Sequence, residues 1–251
     1  MPAERLNRFL ARAGVASRRR ADAMIAAGRV RVNGRLPPPS GIEIDAGHDR
    51  VTADGRTVQA GGPHRAHHYF ACHKPTGVVV SADDPQRRLT VFELVPAEVA
   101  SGRLFAVGRL DLDSSGLLLL TDDGELAHRL QHPRWKVTKE YLAVVAGTPP
   151  ERELRRLRSG IELDDGRTQP AEVELLGSAG GLSRMRVVLT EGRNRQVRRM
   201  FERIGHPVRS LRRTAFGPVH LGRLREGQVR RLRQPEIAAL RRVTGPWRTP
   251  A

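Results

Sequence analysis

The sequence predicts an α+β chain in two units: a small one at the N-terminus, and a larger one with a mainly antiparallel mixed sheet flanked by helices. Three observations predict this. Apolar residues recur at helical spacing in some segments and in short alternating or continuous runs in others. The helical and extended segments do not alternate in a regular β-α-β rhythm, which argues against a doubly wound parallel sheet. The chain has 251 residues, 39% of them hydrophobic, enough for two domains with a proper core.

In the first unit, residues 1–62, "ERLNRFLARAGVASRRRADAMIAAGRVRVNG" spans 4–34. Leu6, Phe9 and Leu10 repeat at helical spacing, and Gly14 ends that helix. Ser17 is placed to cap a second helix carrying Ala21, Met24 and Ile25, which stops near Gly28. "RVRVNGR" then alternates into an Asn-Gly turn, a hairpin signal. Short strands and turns continue to Gly62, and "AGGPHRAHH" at 60–68 reads as a linker, counted as 63–68.

The second unit, 69–245, opens with "YFACHKPTGVVVS", two apolar strands about a Lys-Pro turn. "GLLLLTDDG" reads as a buried strand; "KEYLAVVAG" and "RMRVVLTEG" read as further strands. Helices are expected around 90–100, 124–131, 150–158 and 194–204. Residues 246–251 form a tail, and there is no internal repeat.

A single cysteine, Cys72, excludes an intramolecular disulfide and a multi-cysteine zinc site. No signal-peptide pattern and no run of 18 apolar residues occur, so a cytoplasmic protein without a membrane partner is expected. Charge says more. The net charge is +17, and 41 of the 44 basic residues are arginine, whose planar fork suits phosphate. Residues 1–35 hold nine basic and two acidic residues; residues 184–242 hold 17 arginines and four glutamates. Residues 36–183 between them hold 17 basic and 21 acidic residues, so two basic blocks flank a mildly acidic middle. That pattern suits two contacts with one polyanion. Aromatic content of 4% argues against a base-stacking platform and favours a structured RNA or a duplex held through phosphates.

"GRLDLDSSGLLLLTDDG" carries the chemistry. From Asp111 it follows the calcium-loop spacing almost to its end, with Asp113 at three, Ser115 at five, Gly116 at six and Asp122 at twelve. An EF-hand needs flanking helices and a bidentate carboxylate at twelve, normally Glu. Here four leucines, 117–120, precede an aspartate, and no second copy exists. Calcium is therefore not expected; magnesium at Asp111, Asp113, Asp122 and Asp123 is not required by anything. The alternative is a tight turn that offers Asp111, beside Arg109, at the mouth of a cleft, or else an ordinary surface pair. In "NRQVRRMFERIG", Val197, Met200, Phe201 and Ile204 form one apolar helical face. At about 100° per residue, Arg195 and Arg199 point opposite that face, and Arg198 lies at its edge.

Across almost its whole length the chain resembles the RsuA/RluB family of ribosomal pseudouridine synthases. Residues 4–34 resemble an S4 RNA-binding domain. "HKPTGVVVS", "GRLDLDSSGLLLLTDDG", "KEYLAVV" and "EGRNRQVRRMFERIGHPVRSLRR" resemble the four ordered motifs of the catalytic domain. His73 stands where many relatives have Asn. The resemblance implies isomerisation of uridine to pseudouridine in a ribosomal RNA stem-loop, with no metal and no cofactor. Asp111 maps onto the family's catalytic aspartate, which attacks C1′ or assists loss of the C2′ proton. Arg109 maps onto the arginine that moves when the target base flips out, and Tyr141 onto the tyrosine that packs on the uracil. Arg198 maps onto the arginine that pairs with the aspartate. Expected RNA contacts are Arg5, Ser17, Arg18, Arg19, Arg29, Lys74, Lys139, Arg193, Asn194, Arg195, Arg199, Arg212 and Arg213. The motifs look more like the large-subunit (RluB-like) members, so a 23S rRNA target is expected, with a 16S target (RsuA-like) as the alternative. The partner is ribosomal RNA, free or in an assembling subunit, and the chain is expected to be a monomer. A non-catalytic RNA-binding or ribosome-assembly protein would not need Asp111, Tyr141 and Arg198 together. A nuclease would want a metal cluster or a histidine pair; His67–His68 and His128/His132 are better read as surface or core residues.

Overall fold

The computed structural model describes residues 3–59, 67–82, 84–96 and 104–245. The chain divides into two compact units, Met1–Ala66 and His67–Ala251. Most of the expected linker, and the whole expected tail, lie outside the described residues.

In the N-terminal unit, helices Leu6–Arg12 and Arg18–Ala26 bury Leu6, Phe9, Leu10, Ala21, Met24 and Ile25. The Ser17 hydroxyl caps the second helix by accepting from the Arg20 amide at 3.1 Å. Strand Val30–Val32 turns through Asn33 (φ 52°) and Gly34 (φ 79°), closed by reciprocal Val32–Arg35 backbone bonds. Both central residues take positive φ, as a two-residue hairpin turn of this hand requires. Val30–Val32, Val51–Ala53 and Arg56–Val58 form a three-stranded antiparallel sheet.

The second unit is built on a nine-stranded sheet. Its main path runs Glu172–Ala179, Leu182–Leu189, Lys139–Ala146, Val208–Phe216, Ser115–Thr121, Tyr69–Lys74, Val229–Arg231. All neighbours on this path are antiparallel except Val208–Phe216 with Ser115–Thr121, which are parallel over two residue pairs, Arg212↔Ser115 and Arg213↔Gly116. The two halves of the sheet thus meet over a short seam. Gly116 makes the seam tight: it has φ 112°, and a Cβ there would lie 2.3 Å from the Arg213 carbonyl oxygen.

Strand Ser115–Thr121 is buried along its whole length. Leu117 and Leu119 pack with helices Gly124–Gln131 and Gln234–Val243 through Leu126, Leu130, Ile237 and Leu240. Leu118 and Leu120 face the other way, against Phe70, Cys72, Val78 and Val91. Because both faces are covered, the strand reads as an unbroken apolar run. A third cluster joins strands Lys139–Ala146 and Leu182–Leu189 to helices Glu151–Ser159 and Gln196–Arg203.

Two expectations fail here. The second strand of "YFACHKPTGVVVS" is reduced to one bridge, Val79↔Thr90. Residues 90–96 form turns rather than a helix: the Thr90 amide and hydroxyl both bond the Glu93 carboxylate, and Pro96 disfavours helical geometry at Val95. Residues 97–100 of that expected helix lie outside the described residues. Helix Gln234–Val243, whose Pro235 sits in the first turn, and strand Val208–Phe216 are additional to the elements expected from the sequence.

Candidate active site

A cleft of about 430 Å³ opens over the sheet's seam. Asp111 reaches it from the loop before Ser115–Thr121, Tyr141 and Lys139 from one central strand, and Arg213 from the other. The segment 191–195 closes the far side. This size falls in the range of small-ligand sites, about 300–1,000 Å³.

The Asp111 loop is anchored from beneath. Lys74 ends its strand with a side chain that is 0% exposed, and its Nζ donates to the Pro75 and Val78 carbonyls at 2.8 Å each. The turn so held gives the Gly77 amide to the Leu112 carbonyl at 2.8 Å. Burial pulls the Lys74 ammonium down to about 8, while the charges of Asp111, Cys72 and Asp113 oppose that shift. Lys74 is therefore a buried support for the Asp111 loop and not an RNA contact on the surface, which corrects its expected role. An amphipathic cation at a strand end gives no sign in sequence of which way its head turns.

Asp111 is partly exposed and pairs with Arg195, Nη1 to Oδ2 at 4.0 Å. Arg195 also holds Asp113 at 3.2 Å. Arg198, expected to pair with Asp111, instead lies 3.3 Å from the Asp113 carboxylate and donates to the Asp113 carbonyl at 2.9 Å and the Ser114 hydroxyl at 3.3 Å. Asp113 is thus the anchor for both arginines, a role the sequence reading missed. Burial alone would raise its carboxyl, but the hydrogen bond from Arg195 and the charges of Arg198 and Arg195 hold it below the usual range. The helical phase is right for Arg198 and wrong for Arg195. The helix begins at Gln196, and Arg195 precedes it in left-handed conformation, φ 48° and ψ 33°. That geometry turns its side chain toward the aspartates.

Two other arginines of this block are engaged internally. Arg193 donates to the carbonyls of Asp165, Gly166 and Arg167 and lies 3.3 Å from the Glu191 carboxylate. Arg199 grips Asp165 with two bonds of 2.9 Å. Both pin the 165–167 turn, so neither stands free for RNA as expected; the carboxylate that captures them lies some thirty positions away in sequence. Buried Gln196, also missed, shapes the 191–195 segment: its amide nitrogen donates to Glu191 at 2.6 Å and its oxygen accepts from the Arg193 amide at 3.0 Å. Asn194 is exposed and lines the cleft.

Arg212 and Arg213 were expected to act alike. Neighbours on a strand point to opposite faces; Arg213 is buried in the cleft wall at 2% exposure, while Arg212 is exposed and does not line the cleft. Lys139 lies 5.8 Å from the Phe216 ring centre, and burial, then the charge of Arg213, brings its ammonium down to about 8. Arg109 is exposed at the cleft mouth with no ion pair among the described residues. Tyr141 is half-buried, and its hydroxyl has no hydrogen-bond partner among the described residues.

In the N-terminal unit Arg18 and Arg19 are exposed, while Arg29 is tied to Asp54 by two 2.7 Å bonds and Arg5 donates to the Ser40 carbonyl at 2.9 Å. The calcium spacing has no counterpart in space. A seven-residue strand, about 20 Å long, separates Asp113 from Asp122. Asp122 binds His68 and His67, and Asp123 caps helix Gly124–Gln131 while accepting from the Tyr69 hydroxyl.

A small basic N-terminal domain, and a second unit with a cleft lined by an aspartate, a tyrosine and several arginines, fit an RNA-modifying enzyme. The model of the RNA pseudouridylate synthase family matches residues 68–203 and that of the S4 domain residues 4–36. The chain is 42% identical to a ribosomal large subunit pseudouridine synthase B of Bacillus subtilis (strain 168), over 95% of this chain and 96% of the relative. It is 40% identical to an RNA pseudouridine synthase of Aquifex aeolicus (strain VF5), over 96% and 95% of the two. A crystal structure of a pseudouridylate synthase superposes with a TM-score of 0.68 at 32% identity, covering 94% of this chain and 99% of that one. The chain belongs to the RNA pseudouridylate synthase family, with an S4 domain at its N-terminus. It is an isomerase acting on RNA.

Proposed function

We propose that the chain isomerises one uridine in a stem-loop of large-subunit ribosomal RNA, with Asp111 as the acting carboxylate. The observation that carries this is the 42% identity, end to end, with a relative named for the large subunit. The S4 domain and the net charge of +17 support a partner held through phosphates.

The target base must leave its stack, because the glycosidic bond is out of reach inside a helix. Arg109, exposed at the cleft mouth, moves as the base enters. Tyr141 offers its ring face to the uracil. Asp111 either attacks C1′ or takes the C2′ proton, with Arg195 as its ion-pair partner at 4.0 Å. The C1′–N1 bond breaks, the uracil turns while held, C5 joins C1′, and the C5 proton departs to a base for which the Tyr141 hydroxyl is the candidate. Arg195 and Arg198, both anchored on Asp113, keep the Asp111 loop in place. The chain acts as a monomer in the cytoplasm.

The test is carbodiimide-based pseudouridine sequencing of cells with and without the gene, with tritium release from uridine-labelled RNA for turnover. Loss of one 23S rRNA pseudouridine is expected. Loss of a 16S site instead would overturn the target, and no loss at all would favour a binding protein.

A further inference from the structure

Arg213 is out of place for a phosphate contact. It is buried to 2% exposure, and its Nε donates to the Leu117 carbonyl at 2.7 Å. Neither terminal nitrogen has a partner among the described residues, and Nη2 is wholly buried. Its guanidinium carbon lies 5.3 Å from the Phe216 ring centre, and no carboxylate pairs with it among the described residues. A guanidinium keeps its charge even when buried, and an uncompensated buried charge is costly unless something binds it. The strand register puts Arg213 directly opposite Tyr141, and both line the cleft. Directly opposed residues stand side by side on one face of a sheet, so Arg213 and Tyr141 rise from adjacent strands into the wall of the same cleft.

We propose that Arg213 is a catalytic residue that stabilises the departing uracil as an anion, by donating to its carbonyl oxygen. The inference rests on the reading above in which Tyr141 holds the uracil. When C1′–N1 breaks, the bonding electron pair stays on N1 and spreads onto O2 and O4. C1′ is compensated either by a new bond to an Asp111 carboxylate oxygen or by loss of the C2′ proton to that oxygen, leaving a C1′–C2′ double bond. Charge on the uracil carbonyls therefore grows toward the transition state, where a fixed donor in a dry site acts most strongly. The symmetry of the ring extends the argument. A half-turn about the N3–C6 axis exchanges N1 with C5 and also O2 with O4. One stationary donor thus meets a carbonyl oxygen before and after rotation, and it never has to move. Lys139, depressed in part by Arg213's charge, adds a second cation to the same wall.

The experiment compares Arg213→Gln and Arg213→Lys with wild type under single-turnover conditions at saturating RNA, using the stem-loop with uridine or 5-fluorouridine at the target. Loss of the starting nucleoside is read in nuclease digests. Removing such a donor should slow uridine conversion about 100-fold or more, with RNA affinity within about threefold. Fluorine withdraws charge from the ring and stabilises the leaving anion itself, so on 5-fluorouridine the deficit should shrink about tenfold. Equal deficits on both substrates, or a loss confined to affinity, would overturn the proposal. Arg213→Gln is read only if it melts within about 3 °C of wild type. Otherwise Arg213→Lys, which keeps the charge but not the fork, carries the same comparison. If wild type ignores this stem-loop but converts another RNA, the target assignment falls, and the arginine test runs unchanged on that RNA.

Discussion

Arg18–Arg20 in the N-terminal unit and the arginines at 193–199 look alike in sequence and serve different ends. Arg18, Arg19 and Arg20 are exposed on their helix and make no ion pair among the described residues. In the second block Arg193 and Arg199 are bound to the 165–167 turn, and Arg195 and Arg198 to Asp113. Free charge attracts a polyanion; captured charge builds a site. The difference lies in whether a carboxylate is within reach, and local sequence does not disclose that.

The largest effect that sharpens the contrast is Asp111→Asn. Removing charge without changing shape should slow turnover by more than about 10³-fold and leave RNA affinity within a few-fold, measured by tritium release and filter binding. Near-normal activity would remove the carboxylate from the mechanism. Asp113→Asn comes next: removing the carboxylate that holds Arg195 and pairs with Arg198, whose bonds to the Asp113 carbonyl and Ser114 hydroxyl remain, should loosen the loop and cost about 10–100-fold in single turnover. A rate unchanged there would mean the two arginines act without their anchor. Replacing Arg18, Arg19 and Arg20 together by Ala should weaken binding about tenfold at moderate salt and flatten the salt dependence, with the saturated rate intact. If the saturated rate falls as far as affinity does, the two blocks are not separable in this way.

Smaller effects test the captured residues. Arg199→Lys loses the two-bond grip on Asp165 and should lower thermal stability by less than about 1 kcal/mol, with little change in the chemical step; Arg198→Lys should be the more harmful to rate. Finally, Lys74 and Lys139 are both drawn down to about 8. Their folded values lie below the unfolded 10.5, so between those limits the unfolded chain binds more protons and stability rises with pH. Lys139→Met should remove part of that rise in calorimetric melts, the remainder belonging to Lys74. Lys139 also loses its charge as pH passes about 8, so RNA affinity should fall more steeply in wild type than in Lys139→Met.

The legible features of the sequence were those whose signal is local. "GLLLL" read as a buried strand because both of its faces are covered, and the apolar face of Gln196–Arg203 follows helical spacing. The Ser17 cap and the Asn33-Gly34 turn are carried by the residue types themselves. What escaped depends on partners far along the chain. Strand Val208–Phe216 places an arginine at an inward position between Leu211 and Ala215, which disguises its alternation. Lys74 and Arg213 read as surface cations because burial of a lone cation is rare. Arg195 escapes helical spacing because its left-handed backbone lies outside the helix, which begins at Gln196.

The Ser115–Thr121 strand is enclosed on both faces and paired on both edges, only four positions after Asp111. Amides there should exchange with deuterium mainly through unfolding of the whole unit, which hydrogen-exchange measurements would check. Asp111 is therefore tethered to what should be the slowest-exchanging strand of its unit. On heating, activity should persist up to the cooperative melt, without the earlier fade seen where an active site hangs on a segment that frays first.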